Sequence, residues 1–473
     1  MKRLSVFFSV FICLFLMASC SVNQNDGHET NMNSTTSGET STAETSESTL
    51  PVPVDDLVED YDAIAQTYTG YPDFITVPKL SDHRIYVDPK TDISRGDGSF
   101  NSPCKSLNIA ISKAKPGDTI YLREGTYGGR YDISSANSAD AWICIKAYKN
   151  EKVVFTDNYG SCDSCIVFAS GAAYWKLEGF EIQKYAGAGV WIKDGAGNIY
   201  VENMNIHDIS TPDLTPYGTE GILGGGNNVL VRGCTISDIG THRLAPHDHC
   251  IYLAAQNWVI DSNILQNAPG GGIHQYASGA EEAVGKNVYI WNNIIRNNLY
   301  GIVLSSCSDY YISNNIIYNS RSDDFYLTGY IKNSVIQNNI FYSDFKSGDT
   351  YQGGRWDAID IKTKTVQNLF SECSDGQLFT NNSFKNNIIY RKSGQYSIYL
   401  NGGWYNIDNI ATTDKNNTYE SFIKSDPLFV DAAGGNFTLS ENSPALSGAS
   451  ENEYTPTYGY GHNQRSASSF GIN

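Results

Sequence analysis

The chain has 473 residues, enough for two or three ordinary domains or for one long repeat array. It is rich in Gly, Asn, Ser, Tyr and Ile and poor in Leu and Met, which disfavours helix bundles and favours many short strands with tight turns. The formal net charge of -18 excludes nucleic acid as a natural partner, since that role needs a basic footprint.

In chain order, Lys2 and Arg3 precede the apolar run VFFSVFICLFLMA, which reads as a secretory signal over residues 1–20. It ends in LMASC, so Cys20 follows small residues and resembles the lipobox of bacterial lipoproteins. The resemblance implies lipidation at Cys20 and an extracytoplasmic protein held at a membrane surface. Residues 21–80 then read as a Ser/Thr/Glu-rich disordered tether, although the part from Asp55 to Leu80 is mixed enough to lie along a domain. Ten acidic residues and no Lys or Arg fall between Asp26 and Asp62, so much of the negative charge belongs to this segment.

From Arg84 the chain reads as globular. A strand at IYVDP is followed by a Gly-rich loop and a short amphipathic helix with Leu107, Ile111 and Ala114 on one face. The turn Pro116-Gly117-Asp118 then leads into the strand TIYLREGTY.

Beyond this entry a pattern repeats at roughly 22–30 residues, with one gap about twice that. Each unit contains the first-strand pentapeptide of the series GVWIK, GILGG, CIYLA, GIHQY, GIVLS, DFYLT, AIDIK and SIYLN. It continues through a second strand to a turn of the series GFEI, NMNI, GCTI, SNIL, NNII, NNII, NNIF and NNII. Asn263, Asn293, Asn315, Asn339 and Asn387 share one column of that turn and are expected to form a structural amide ladder. Alternation along the first strand puts its second and fourth positions inside. The third-position column (Trp191, Leu223, Tyr252, His274, Val303, Tyr326, Asp360, Tyr399) then faces out, beside the fifth-position column (Lys193, Gly225, Ala254, Tyr276, Ser305, Thr328, Lys362, Asn401).

Exposed aromatics in a line suit the apolar faces of sugar rings, which nominates Trp191, Tyr276, Tyr326 and Tyr399 as glycan contacts. The densest polar cluster is His247, Asp248, His249, Tyr252 and His274, with Glu220 in the place of His249 one unit earlier. Imidazoles, phenols and carboxylates so close together suit proton abstraction next to a sugar carboxylate and protonation of the leaving oxygen. His274 or His249 is the expected base and Tyr252 the acid, with Arg243 or Lys193 against the substrate carboxylate and Asp360 further along. Rival readings stay open: Zn²⁺ on His247, His249 and His274; Ca²⁺ on Asp248, Glu220 or Asp360; and hydrolysis by Glu220 with Asp248. Cys162-x-x-Cys165 is a candidate disulfide, and Cys234 in the Asn column should point inward.

The entry segment, the repeats and the closing run KSDPLFVDAAGGNFTLSENSPALSGA together resemble the pectate-lyase-like right-handed parallel β-helix superfamily of polysaccharide lyases, hydrolases and uronan epimerases. The resemblance spans Arg84 to Asn473. It implies an all-β fold: a single-stranded right-handed parallel β-helix (solenoid) over 81–425 with a short N-terminal helix cap, closed by 426–473. Pro246-His247-Asp248 is similar to part of the DPH[DE] motif of mannuronan C5-epimerases, with Ala245 in place of its leading Asp. The function implied is a cell-surface lyase cleaving a uronic-acid glycan by β-elimination; an epimerase, a hydrolase and a non-catalytic glycan-binding protein are the alternatives. The expected partner is a polysaccharide, and a monomer is expected.

Overall fold

The computed structural model describes residue 57 and residues 67–149, 151–211, 218–240, 246–277, 285–345, 357–362, 378–392, 394, 397–446 and 449. Strands dominate, and they stack in parallel on the strands one coil away rather than on their sequence neighbours. Each coil contributes to three faces. The coil that starts with Gly271–Tyr276 on the first face continues with Gly285–Trp291 on the second and Ile294–Arg296 on the third. The fold is a right-handed parallel β-helix, as the repeats implied.

Register follows the aligned pentapeptides residue for residue. Trp191 pairs with Leu223, Leu223 with Tyr252, Tyr252 with His274, His274 with Val303, Val303 with Tyr326, Tyr326 with Asp360, and Asp360 with Tyr399. Residues scattered over two hundred positions therefore line up at one strand spacing, about 4.8 Å apart. The inward positions (Ile192, Ile222, Ile251, Leu253, Ile273, Ile302, Leu304) are fully buried.

The corner between the second and third faces depends on a residue in the left-handed region, where Asn, Ser and Gly are tolerated. Asn203, Gly233, Ser262, Asn292, Asn314, Asn338 and Asn386 all take positive φ there. The next residue builds the ladder. Asn263 donates its amide to Asn293 Oδ1 at 3.0 Å, Asn293 to Asn315 at 2.9 Å, Asn315 to Asn339 at 2.9 Å and Asn339 to Asn387 at 3.0 Å. Each Oδ1 also accepts the backbone N–H of the preceding asparagine. Cys234 heads the column, buried, with its N–H on Asn263 Oδ1 at 2.9 Å.

At the N-terminal end, the helix Leu107–Lys113 is capped by the Ser106 hydroxyl. Its buried stripe is Leu107 and Ala110, because the helix lies with these two over the first coil; Ile111 and Ala114 only flank the core. Residues 67–80, the end of the mixed stretch that the sequence allows to lie along a domain, pack along the second face rather than forming tether. Tyr68 and Ile75 are buried there against Trp142, Tyr200, Leu230, Val259, Tyr289 and Trp291. Tyr68 hydroxyl donates to Glu202, Tyr71 hydroxyl to Asp261, and Arg232 donates to Thr67 O. At the other end, the hairpin of Phe429–Asp431 and Asn436–Leu439 covers Ile294, Ile316, Tyr318, Ile340 and Ile388 on the third face. The described cysteines are thiols, so Cys162 and Cys165 are not joined; Cys165 is core and Cys162 lies at its edge.

The ladder makes a quantitative prediction. Asn315→Ala removes the acceptor of two buried donors, the N–H and Nδ2 of Asn293. Unfolding free energy from urea titration should fall by about 2–4 kcal/mol.

Candidate functional site

The outer surface of the first face carries two polar patches. They are separated on the third-position column by Val303, which is almost fully buried.

The first patch is the histidine patch. His249 lies at the strand start, 3% exposed, and is the register partner of Glu220. Its Nδ1 accepts the Gly271 N–H at 2.7 Å, and its Nε2 lies 3.0 Å from His274 Nδ1. Tyr252 sits beside both rings, with centroids 5.7 Å from His249 and 5.1 Å from His274, and Tyr276 meets His274 edge-on at 6.2 Å. Burial holds His249 well below the usual histidine range, aided by the charges of His274 and His247. Burial and then the charge of His247 lower His274 to about 3. Both rings are therefore neutral at ordinary pH.

Several sequence expectations change here. Asp248 is completely buried and does not reach the outer surface of the first face; its Oδ1 accepts from the Thr219 N–H at 2.8 Å and the Thr219 hydroxyl at 3.1 Å, tying one coil to the next. The Glu220–Asp248 hydrolytic pair is thus not available, although Glu220 itself lies next to His249. Zn²⁺ on His247, His249 and His274 does not fit: both nitrogens of His249 are engaged, and no group of three ligands is gathered among the described residues. The same holds for the Ca²⁺ sets drawn from Asp248, Glu220 and Asp360. His247 is exposed and acts on the pair through its charge. Lys193 does not reach the histidines; its ammonium lies over the Trp191 ring at 4.6 Å. Arg243 and Cys20 lie outside the described residues.

The second patch is denser than the sequence suggested. Asp360, 3% exposed, pairs with Lys362. Around them stand Asp323, Asp357, Tyr300, Tyr326, Tyr399 and Trp404. Tyr300 stacks on Tyr326 at 5.5 Å, Tyr399 meets Trp404 at 5.1 Å, and the Lys362 ammonium lies 4.9 Å from the Tyr326 ring centre. Trp404 donates Nε1–H to Asp357 Oδ2 at 3.2 Å and is half exposed. Burial raises Asp360 to about 6 despite Lys362, and burial with the Asp360 charge raises Asp323 to about 7. Burial opposes the charge on Lys362, but its hydrogen bond and ion pair with Asp360 outweigh this and hold its pKa above the usual lysine range. Displaced equilibria gathered in one place beside aromatic rings make this patch a candidate functional site.

Sequence reasoning named Tyr326, Asp360 and Tyr399 but missed Asp323, Asp357, Tyr300 and Trp404. A signal for the first three was present. The residue before each pentapeptide forms its own column: Ala188, Glu220, His249, Gly271, Tyr300, Asp323, Asp357. Trp404 comes from the antiparallel strand Gly403–Asn406, which no repeat announces.

Behind this patch Asp324 points into the core with no solvent exposure. Burial pushes its carboxyl to about 8 against the pull of Arg391. Unfolded carboxyls ionise near pH 4, so between there and their folded midpoints Asp323, Asp324 and Asp360 bind more protons folded than unfolded, and stability falls as pH rises. The lowered histidines act in the opposite direction only below about pH 6.5. The melting temperature should therefore drop by a few degrees from about pH 6.5 to about pH 8. Asp324→Asn should flatten that slope in a calorimetric pH series.

Comparisons with known proteins agree with the architecture. Residues 85–235 match the family described as Pel9A-like, right handed beta helix region, and residues 242–378 match the right handed beta helix region family. The chain is 23% identical to the uncharacterized protein YwoF of Bacillus subtilis (strain 168), over 76% of this chain and 92% of that protein. It is 28% identical to pectate lyase PEL9 of Emericella nidulans over 24% of this chain, and spans about a third (31%) of that enzyme's length. Among solved structures, pectate lyase Pel9A superposes with a TM-score of 0.58 at 15% identity, covering 81% of this chain and 95% of that one.

Proposed function

We propose that this chain, which belongs to the right-handed β-helix superfamily, is a polysaccharide lyase that cleaves a uronic-acid glycan by β-elimination on the first face. The observation that carries the reading is the second patch: a partly exposed ammonium paired with a buried carboxylate, a second carboxyl raised toward neutrality beside it, and aromatic rings around them. The partial similarity to pectate lyase PEL9 supports the same class.

The residues divide the work by their charge states. Lys362 pairs with the substrate carboxylate and makes the neighbouring C–H more acidic. Asp360, whose ion pair with Lys362 favours its ionised form, takes that proton; the electron pair forms the C=C bond as the C–O bond to the leaving sugar breaks. Asp323, whose protonated form is favoured by burial and by the Asp360 charge, returns a proton to the leaving oxygen. A carboxyl favoured as the anion by a paired cation, beside one favoured as the acid by burial, is a general pattern for such acid–base assignments. Tyr326, Tyr399 and Trp404 stack on the sugar rings. The proposal extends to place: lipidation at Cys20 would hold the enzyme at an extracytoplasmic membrane surface, and labelling with a fatty-acid probe that is lost in Cys20→Ala tests it.

The enzymatic test incubates the full chain with pectate, alginate and glycosaminoglycans. It follows ultraviolet absorbance from unsaturated ends and new reducing ends together. Both should rise on one acidic glycan, with a bell-shaped pH dependence centred near neutrality. Lys362→Ala should lower turnover by roughly a hundredfold or more. Reducing ends without absorbance would make the chain a hydrolase; binding with neither signal would make it a glycan-binding protein.

A further inference from the structure

The hydrogen bonds of the histidine patch run in one direction only. The Gly271 amide N–H can only donate, so His249 Nδ1 must be the bare nitrogen. A neutral His249 then carries its proton on Nε2, which donates to His274 Nδ1 at 3.0 Å. That leaves His274 with its own proton on Nε2. The opposite arrangement, with His274 Nδ1–H pointing at His249, would place a proton on His249 Nδ1 against the Gly271 N–H.

We infer that the Gly271 amide and His249 lock His274 in the Nε2–H form, so that the first face presents at this rung a neutral hydrogen-bond donor for an acceptor oxygen of the glycan rather than a base. His249 is the positioning residue, since its own nitrogens are both spent inside. The inference rests on the lyase reading only for the identity of the ligand; the lock itself is a property of the free protein. It overturns the assignment of His274 or His249 as the proton-abstracting group.

The surroundings keep the pair neutral. The groups around it are Tyr252 on the preceding rung, Tyr276 on the same strand, Glu220 in register with His249, and exposed His247. Of the electrostatic influences, His247 disfavours a proton on either ring, and burial works in the same sense. A donor that stays neutral holds a sugar hydroxyl or carboxylate oxygen equally well across the working pH range.

The test is ¹H–¹⁵N correlation of the imidazole rings in the full chain labelled at its eight histidines, with His274→Gln used to assign the ring. The expected spectrum shows His274 as the Nε2–H form with no titration between about pH 5 and pH 8. In His249→Ala the ring should begin to titrate toward the ordinary histidine range. An Nδ1–H form of His274, or a midpoint near 6.5 in the unaltered chain, would overturn the lock whatever the substrate proves to be. On an acidic glycan that the chain turns over, His274→Phe should raise KM about tenfold, and His274→Gln, whose amide still donates, should recover most of it. A thousandfold loss of kcat in both variants would instead restore His274 as the base. Because the spectrum needs no substrate, failure of the lock and failure of the lyase reading are told apart.

Discussion

Hydrogen bonding between coils is the constraint on which the rest of this molecule depends. Within the described coils the parallel strands are completed by strands one coil away, so no coil has independent standing and each column of residues is held at a fixed rise. The turn between the second and third faces shows how strictly this is enforced. A left-handed corner residue is followed by an asparagine whose amide reaches both the coil before and the coil after. The first-position column shows the same strictness in packing. Gly189, Gly221, Gly272 and Gly301 leave no room for a Cβ beside Ile206, Ile236, Ile295 and Ile317.

That rigidity is what allows a surface to be assembled from distant sequence. Asp323, Asp357 and Asp360 come from two coils, yet they share a patch with Tyr300 and Tyr399 from the coils beyond. The two patches on this face have opposite electrostatic character. Burial keeps the histidines neutral by removing a positive charge, and keeps Asp323 partly neutral by suppressing a negative one. Lys362, about a third exposed, is the exception, a charge retained because it is paired with the buried Asp360.

Much of the fold was legible in the sequence because a β-helix repeats its own instructions. The pentapeptide alignment returned the observed register, and the Asn column returned the ladder. The site was less legible, for reasons that differ from residue to residue. Tyr252 and His274 were found because alternation points them outward. Asp248 was misread because alternation does not hold at the corner before a strand, where its side chain turns back to Thr219. The direction of the His249–His274 hydrogen bond was hidden because it depends on a backbone N–H at Gly271, which carries no side-chain signal. Asp323 and Asp357 were overlooked because each looks like a turn residue until the column before the strand is read as a column.

The segment at residues 67–80 gives the molecule a particular mechanical character. It lies across the second face, fastened through Tyr68 to Glu202, through Arg232 to Thr67 and through Tyr71 to Asp261, with Tyr71 stacked on Trp291 at 6.0 Å. A pull on the chain from its N-terminal side is therefore met by several coils loaded together in shear. It is not delivered to the edge of the first coil, where a solenoid would peel one rung at a time. The capped end is relieved of the load, and the face carrying the two polar patches is not the one the strap covers.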